Sequence, residues 1–378
     1  MAPITTRRVA ILGTRGIPAA HGGFETFAQR LSLWLIDRGW DVEVYCQNEG
    51  GDAPDNWRGV DLRHIRTKAR GPLGTMEFDL RSVLKASARD QLILTLGYNT
   101  AIFSLLHRVK GAVNVVNMDG LEWKRSKWSW GVRQWFKVNE RCATILSDHL
   151  IADHPRIADR LRNLTSKKPV TMIPYGSDPI VTADASHLGQ FGIAPQEYAL
   201  AIARIEPENQ TLDMVRAFSA KPRGKKLMVL GALVPERYSY HAAVQAAAGP
   251  EVIFPGSIYE PPVVEALRRH ALFYIHGHQV GGTNPTLVET LGAGCPVLAH
   301  GNEFNTWVAG PAQAYFSSYT ELEEQITRLV QTPADCMRAM SDACRQRHAE
   351  DFRWDPILQK YEDVLLRLIE EKTNVRHA

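Results

Sequence analysis

The sequence predicts an α/β fold built from two doubly wound parallel sheets. Short apolar runs recur along the chain, and most of them are followed by a loop and an amphipathic stretch. This alternation is typical of β-strands that are connected by α-helices. It breaks off near residue 180 and begins again near residue 198, and the chain of 378 residues is long enough for two domains with separate cores.

The first series of predicted elements begins at residues 9–12, an apolar run that indicates a buried strand. A glycine-rich loop follows, and residues 24–38 form an amphipathic helix that ends at Gly39. By the same criterion, further buried strands are predicted at residues 42–45, 92–96, 113–116, 149–152 and 170–173.

The second series of strands is predicted at residues 198–203, 227–230, 252–254, 272–275 and 297–299. The stretch 176–195, rich in proline and small polar residues, is predicted to link the two domains. The predicted division is 1–177 for an N-terminal Rossmann-like domain, 178–353 for a C-terminal one, and 354–378 for a C-terminal helix that packs back toward the first domain.

Composition excludes several classes of protein. Apolar residues make up 44% and charged residues 22% of the chain, as in soluble globular proteins, and a net charge of +3 does not indicate a nucleic-acid partner. The five cysteines are scattered and form no CxxC motif, which favours a reducing compartment over a zinc or disulfide framework. Residues 1–8 lead directly into the first strand and no run is as long as a membrane span, so a cytoplasmic protein is expected.

Residues 278–289 are the most informative stretch, because they follow a predicted strand and open a helix. Gly281 and Gly282 allow the backbone to approach a ligand, Thr283 or Asn284 is suited to cap the helix, and Pro285 is suited to its first turn. Backbone N–H groups at the carboxyl edge of a parallel sheet bind anions. The alternative is an ordinary βα unit without a ligand.

Glu289 lies one turn inside this predicted helix, on the same face as Pro285. A carboxylate repels phosphate, but it accepts hydrogen bonds from sugar hydroxyls. An anion at the helix tip and hydroxyls at the carboxylate together indicate a nucleotide sugar. The alternative is a solvated glutamate with no ligand.

Five segments resemble, in order and spacing, the motifs of bacterial GT-B glycosyltransferases of family 4. The segments are residues 13–18, 22–27, 173–178, 204–209 and 281–289. The resemblance covers nearly the whole chain. It implies two facing Rossmann-like doubly wound domains with the active-site cleft between them, and transfer of a sugar from a nucleotide donor with retention of anomeric configuration and without a metal ion or other cofactor.

A narrower resemblance is to bacterial rhamnosyltransferases that build surface polysaccharides. It rests on residues 117–125, 206–209 and 282–285. It implies that the donor is dTDP-L-rhamnose and that the acceptor is a glycan or a lipid-linked glycan. Two other functions stay open, namely a nucleotide-sugar 2-epimerase of GT-B fold and a sugar-binding scaffold with weakened catalysis.

Arg204 is the predicted group that stabilises the leaving diphosphate, because a planar guanidinium matches phosphate. The alternative is a surface arginine at a strand end. Gly22 and Gly23 precede a helix and are predicted to offer backbone amides to the same anion, or else to form a tight turn. Asn209 stands where the family usually has lysine, so more of the stabilisation is expected from Arg204 and backbone amides.

The rest of the donor site follows from the resemblance. Glu289 is implied to bind ribose hydroxyls, and Gly281 replaces a carboxylate that usually grips the donor hexose, which fits a deoxy sugar. His278 is expected either to face the sugar or to cap its strand. The complete predicted donor set is Gly22, Gly23, Arg204, Asn209, Gly256, Ser257, Ile258, His278, Gly281, Gly282, Thr283, Asn284, Leu287 and Glu289.

Asp119 and Glu122 are the predicted acceptor-side residues. Asp119 follows the strand at 113–116, and it is expected to polarise the acceptor hydroxyl or to support the positive sugar. The alternative is an Asp-Gly turn. Asp119 and Arg204 are therefore the two predicted catalytic residues.

Residues 123–137 mix bulky aromatics with cations. Such a segment can lie in a membrane interface, which would place the protein at the inner face of the cell membrane. The alternatives are a core helix with a basic solvent face and, less favoured, a nucleic-acid contact.

Overall fold

The structure, a computed structural model, describes residues 7–20, 22–48, 50, 53–88, 91–125 and 127–377. Residues 1–6 at the start of the predicted N-terminal stretch and Ser126 in the aromatic-basic segment lie outside this description. The chain divides into two compact units. The first comprises Met1–Lys124, Trp128–Pro174 and Asp355–Ala378, and the second comprises Arg125–Lys127 and Tyr175–Trp354.

The first unit is built on an eight-stranded sheet. Its strands are β1 (Arg8–Leu12), β2 (Asp41–Asn48), β3 (Asn56–Trp57), β4 (Val60–Arg66), β5 (Leu92–Leu96), β6 (Val113–Asn117), β7 (His149–Ala152) and β8 (Val170–Met172). Its helices are α1 (Gly23–Ile36), α2 (Gly71–Ala86), α3 (Ser104–Lys110), α4 (Trp130–Leu146) and α5 (Pro155–Leu164).

The strand order in this sheet is β3-β4-β2-β1-β5-β6-β7-β8, and every pair is parallel except β3 with β4. The chain therefore winds outward in both directions from the β1/β5 pair, which is the topological switch point where ligands bind in such sheets. The predicted strands of this unit are present. β4 was missed because its inward residues alternate with exposed ones, whereas the prediction relied on continuous apolar runs.

The second unit contains a six-stranded sheet. Its strands are β9 (Tyr198–Ile202), β10 (Lys226–Leu230), β11 (Val252–Gly256), β12 (Phe273–His276), β13 (Val297–His300) and β14 (Ala314–Phe316). The helices that follow these strands are α6 (Thr211–Ser219), α7 (Ser239–Ala246), α8 (Pro261–His270), α9 (Pro285–Gly292), α10 (Glu303–Ala309), α11 (Tyr319–Gln331) and α12 (Ala334–Asp351).

This second sheet is parallel throughout, in the order β11-β10-β9-β12-β13-β14, and its switch point lies between β9 and β12. Side chains alternate between its two faces, as strand geometry requires. Tyr198 and Leu200 pack into a core with α8 and α9, whereas Ala199 and Ala201 pack into a second core with α6 and α11. Helices on both faces make this a doubly wound α/β sheet, as predicted.

The predicted linker differs from the structure. The stretch 176–195 contains a 3-10 helix, Ala185–Phe191, whose Leu188 is buried in the core of the second unit. The stretch therefore packs with that unit, an apolar contact that proline content does not indicate. The last helix, α13 (Trp354–His377), lies within the predicted segment 354–378.

From Asp355 onward α13 belongs to the first unit. The phenol of Tyr361 is buried, accepts a hydrogen bond from Asn117 Nδ2 at 2.7 Å, and packs against Phe27 with 4.6 Å between the ring centroids and 49° between the ring planes. Both carboxylate oxygens of Glu362 accept indole N–H groups, from Trp34 and Trp40 at 3.0 Å. These contacts attach the end of the chain to β6 and α1. None of the helices described in the structure has both the length and the hydropathy of a membrane span.

Candidate functional site

Two loops meet at the switch point of the second sheet, one after β9 and one after β12. Gly277 permits their close packing, because a Cβ at this position would lie 2.5 Å from the carbonyl oxygen of Asn209. The N–H of Gln279 donates to the carbonyl of Glu208 at 3.0 Å. The two predicted donor motifs, 204–209 and 281–289, are thus neighbours within one compact unit.

Arg204 is the exposed cation of this pair of loops. Its side chain is 66% exposed, and its Nη1 lies 3.6 Å from Glu206 Oε1. Asn209 is buried and its Nδ2 donates to the backbone carbonyl of Arg204 at 2.8 Å. In these contacts Asn209 fixes the loop that carries Arg204, and the guanidinium is left accessible to an anion.

The N-terminus of α9 carries no charge of its own. Asn284 Oδ1 accepts hydrogen bonds from the Thr286 N–H at 3.0 Å and from Thr286 Oγ1 at 2.8 Å, and the first turn contains no acidic residue. A Cβ at Gly281 would meet no atom within 4 Å, so packing does not require glycine there. Leu287 is fully buried and packs α9 into the core of the second unit.

Two stacked histidines lie at the end of β12. The rings of His276 and His278 are 4.3 Å apart between centroids and inclined by 12°. Burial holds the pKa of His276 well below its ordinary value. Burial, together with the positive charges of Arg125 and Arg204, lowers the pKa of His278 to about 3. Both rings are therefore neutral at physiological pH.

The backbone and the ring of His278 have different contacts. Its backbone carbonyl accepts hydrogen bonds from Asn302 Nδ2 and Asn305 Nδ2, both at 2.8 Å. Its Nδ1 is buried without a hydrogen-bond partner among the described residues. The ring stacks on His276 and lies near the charge of Arg204.

Glu289 is paired with a residue that the sequence interpretation missed. Its Oε2 accepts a charge-assisted hydrogen bond from Arg268 Nη2, a residue of α8. The Glu289 side chain is 29% exposed and that of Arg268 is 10% exposed. The pair packs beside the buried Tyr274, whose hydroxyl lies 3.2 Å from Thr286 Oγ1. Nothing local in the sequence marks Arg268, because it lies 21 residues before Glu289.

The segment predicted to contact the base follows β11, the edge strand two places away from β9. Gly256 adopts a left-handed backbone (φ +85°), and its carbonyl accepts the N–H of Gly231 at 3.0 Å. Ile258 packs against the core that contains α9, and Ser257 is exposed. Strand spacing puts this segment about 10 Å from β9.

In the first unit, Gly22 and Gly23 begin α1, and Gly22 has φ +85°. Glu25 in the first turn accepts the N–H of Arg15 at 3.2 Å. A Cβ at Gly22 would lie 2.6 Å from Glu25 Oε2. A carboxylate thus already occupies this helix N-terminus, and a diphosphate bound there would meet like charge.

Asp119 follows β6 with a left-handed backbone (φ +50°), which is uncommon outside glycine and marks a functional or turn position. Its N–H donates to Asn117 Oδ1 at 3.2 Å. The N–H of Glu122 donates to the hydroxyl of Tyr98 at 3.0 Å. Burial raises the pKa of Tyr98, and Glu140, Glu122 and Asp119 add to the effect. Tyr98 was not predicted, and it brings the two acceptor-side residues to one buried hydroxyl.

The aromatic-basic segment 123–137 uses several of its cations within the fold. The guanidinium of Arg160 lies 4.8 Å and the amine of Lys137 lies 5.2 Å from the centroid of the Trp123 ring. Within the second unit, Arg125 forms an ion pair with Glu208 at 2.7 Å, and Lys127 forms one with Glu206 at 3.3 Å. Arg125 and Lys127 are therefore already paired with carboxylates.

Two cavities of about 370 and 380 Å³ lie beside β2 and β4 of the first unit, and they were not predicted from the sequence. The first is bordered by Glu25 and by the loop after β1, and the second contains Arg66, Arg81 and Lys85. Among the described residues, no group of three or more His, Cys, Asp and Glu side chains is arranged to hold a metal ion.

Comparisons with known proteins agree with this architecture. A family described as "Domain of unknown function (DUF1972)" matches residues 6–178, and no curated protein matches the chain. The chain is similar to sucrose-phosphate synthase from Thermosynechococcus elongatus, with a TM-score of 0.81, 19% identity, and coverage of 97% of this chain and 100% of that one.

Two further solved structures are similar at lower identity. Anabaena HepE in complex with UDP and glucose has a TM-score of 0.75 at 14% identity and covers 95% of this chain and 99% of its own. A trehalose 6-phosphate synthase from Burkholderia multivorans has a TM-score of 0.72 at 12% identity, with coverage of 99% and 98%. These similarities show that the chain has the GT-B fold, as predicted.

Proposed function

We propose that this protein is a glycosyltransferase that moves a sugar from a nucleoside diphosphate to an acceptor hydroxyl. The observation that carries the proposal is the group of residues at the β9/β12 switch point. An exposed arginine, a helix N-terminus without an acidic first turn and a carboxylate one turn inside that helix lie in one unit. A diphosphate matches the first two groups, and a sugar hydroxyl matches the third.

The chemistry assigns a separate task to each group. Arg204 and the amides at the start of α9 stabilise the negative charge that develops on the leaving diphosphate, a task that a divalent ion performs in other transferases. The neutral rings of His276 and His278 add no charge that would compete with Arg204 for the phosphate. Glu289 accepts hydrogen bonds from the ribose hydroxyls of the nucleotide.

The comparisons support this function. The HepE structure is a complex with UDP and glucose, and the other two similar structures are a sucrose-phosphate synthase and a trehalose 6-phosphate synthase. Within the proposal, residues 1–177 form the acceptor-side domain, residues 178–353 form the donor domain, and residues 354–378 form the closing helix. Asp119 serves the acceptor hydroxyl, and the reaction retains anomeric configuration.

We favour dTDP-L-rhamnose as the donor and a glycan or lipid-linked glycan of a surface polysaccharide as the acceptor. The motifs shared with rhamnosyltransferases support this choice, and Gly281 stands where the resemblance places a carboxylate that grips the hexose, which fits a deoxy sugar. The enzyme would then work in the cytoplasm, at the inner face of the cell membrane.

A donor screen tests the proposed function. The purified protein is mixed with dTDP, UDP and GDP sugars, and both its unfolding temperature and nucleoside diphosphate release are measured. We expect the dTDP sugar to raise the unfolding temperature most, since a ligand of the native state stabilises by mass action, and to be hydrolysed slowly without acceptor. Inversion of the sugar at C2 without release would indicate an epimerase, and binding without either reaction would indicate a scaffold.

The proposed membrane contact is best supported by one face of α4. Trp130, Val138 and Ile145 are 78%, 49% and 62% exposed, and the exposed cations Lys137 and Arg141 lie between them. Helix geometry places all five within an arc of about 100°. Apolar and cationic side chains on one face suit anionic lipid.

A flotation assay tests this contact. The variant with Trp130→Ser, Lys137→Gln and Arg141→Gln should bind anionic liposomes more weakly, whereas Lys127→Gln should not, because Lys127 already pairs with Glu206. Donor hydrolysis in solution should survive in both variants. Equal flotation of the triple variant and the wild type would show that this face is ordinary solvent-exposed structure.

A further inference from the structure

We infer that Arg268 makes this donor site selective for a 2′-deoxyribonucleoside diphosphate, because it occupies one of the two oxygens of Glu289. The inference rests on the proposed function and names the class of its nucleotide. Arg268 lies on α8 and Glu289 on α9, and both belong to the second unit.

The two oxygens of the Glu289 carboxylate differ in their hydrogen bonds. Its Oε2 accepts the hydrogen bond of Arg268 Nη2, while its Oε1 has no hydrogen bond or ion pair with any residue that the structure describes. At 29% exposure the Glu289 side chain is still accessible to a ligand. One oxygen is therefore committed to the protein, and one is available.

A ribose presents two neighbouring hydroxyls, at the 2′ and 3′ positions. A carboxylate with two free oxygens accepts one hydrogen bond from each of them, and such hydrogen bonds to a charged acceptor are strong. A 2′-deoxyribose presents the 3′ hydroxyl alone. The single free oxygen of Glu289 thus matches the deoxyribose. The 2′ hydroxyl of a ribose would approach Oε2, which is held by Arg268 and is made a weaker acceptor by the charge of the guanidinium.

Arg268 is also held in place. Its side chain is 10% exposed, its Nε is buried without a partner among the described residues, and its charge lies beside the buried Tyr274. If the guanidinium released Glu289, a buried charge would lose its counterion, which is costly. A ribose is therefore a poor competitor for Oε2, and Arg268 acts as a positioning residue for Glu289.

Three thymine nucleotides test the inference, because they differ only in the sugar. Calorimetry with the full-length protein compares 2′-deoxythymidine diphosphate, its 2′-hydroxylated ribo form and its 2′,3′-dideoxy form. We expect the wild type to bind the deoxy form more tightly than the ribo form. We expect the dideoxy form to bind about tenfold more weakly, the effect of one hydrogen bond to a charged group.

Arg268→Met frees the second oxygen and should shift the preference toward the ribo form by about tenfold. Because this change leaves a carboxylate without its partner, Arg268→Lys serves as the matched variant. Lysine keeps the charge and reaches the carboxylate with one donor, so it should keep the wild-type preference. Thermal unfolding of each variant verifies that it is folded.

The outcomes separate the inference from the proposed function. If the wild type binds the ribo form as tightly as the deoxy form or more tightly, or if folded Arg268→Met keeps the wild-type ratio, Arg268 does not set the preference and the inference is wrong. If none of the three nucleotides binds at millimolar concentration, the proposed function itself fails, and the inference fails with it.

Discussion

Helices α1 and α9 both begin after a glycine-containing loop at the carboxyl edge of a parallel sheet, yet their N-termini differ in charge. At α1 the carboxylate of Glu25 lies beside Gly22 and accepts the N–H of Arg15. At α9 the cap is the neutral amide of Asn284, and the first turn has no acidic residue. A helix N-terminus attracts negative charge, and α1 already has its own.

We propose that a glycine-rich loop before a helix binds an anion best where no internal carboxylate lies at the N-terminus and a nearby cation can reach the ligand. At α9 the loop after β9 supplies such a cation. The Arg204 side chain is 66% exposed, and its ion pair with Glu206 is long, at 3.6 Å. We therefore place the main charge stabilisation in the second unit.

The largest expected effect comes from Arg204→Ala. Loss of the guanidinium removes a charge-assisted contact to the leaving diphosphate and should lower kcat/KM for donor hydrolysis by about 100- to 1,000-fold. Glu206→Gln, which removes the carboxylate nearest to Arg204, is the matched control and should not lower the rate. Wild-type turnover by a folded Arg204→Ala protein would show that α9 acts without this arginine.

Asp119 tests the contribution of the first unit. We expect Asp119→Asn to lower turnover with acceptor by roughly 100-fold, a typical effect of a general acid–base group. The affinity for the free nucleoside diphosphate should change less than twofold, because the proposed contacts to the nucleotide lie in the second unit. If Asp119→Asn loses nucleotide affinity but keeps its turnover, Asp119 binds the nucleotide and the roles proposed for Asp119 and Glu289 must be reversed.

The sequence predicted what depends on local periodicity. Buried strands such as β1 and β12 were found because they are continuous apolar runs, and the order of the elements then indicated the doubly wound fold. The amphipathic strand β4 was missed for the same reason, since exposed residues alternate with buried ones along it. Thr283 or Asn284 was predicted as the cap of α9, and Asn284 is the cap; this was predictable because capping acts over two or three residues.

Side-chain pairing depends on the tertiary structure and was not predictable in this way. Arg268 reaches Glu289 from another helix, and Arg125 reaches Glu208 across 83 residues of sequence. A single sequence gives no signal for such pairs. They change the site nonetheless, because Arg268 uses half of the Glu289 carboxylate, and Glu208 removes a cation from the segment predicted to meet a membrane.

A pH titration of stability tests the neutral state of the histidine beside α9. The pKa of His278 is lowered to about 3, so the unfolded chain binds a proton near pH 6.5 that the folded protein does not. Stability should therefore fall as the pH drops from about 6.5 toward 3. When the pH is lowered from 7 to 5, the free energy of unfolding of His278→Gln, measured with urea, should decrease by about 1–2 kcal/mol less than that of the wild type. An equal loss in both proteins would show that His278 is protonated in the fold.

The smallest expected effect bears most directly on the two helix N-termini. If the amides of Gly22 and Gly23 also serve the diphosphate, as the sequence predicts, the carboxylate of Glu25 opposes the ligand at that end. Glu25→Gln should then tighten dTDP binding by about three- to tenfold, because it removes a like charge at a partly exposed site. It should also lower stability by roughly 0.5–1 kcal/mol, since a negative charge in the first turn favours the helix.

Calorimetry with dTDP and urea unfolding measure the two effects of Glu25→Gln independently. Glu289→Gln is the matched control, because it neutralises a carboxylate at α9 and should weaken dTDP binding, the opposite sign. If Glu25→Gln lowers stability but leaves the Kd for dTDP unchanged, then Gly22 and Gly23 form a structural turn that Glu25 completes. The diphosphate would then depend on α9 and Arg204 alone, and the contrast between the two helices would be one between a self-capped N-terminus and a ligand-binding one.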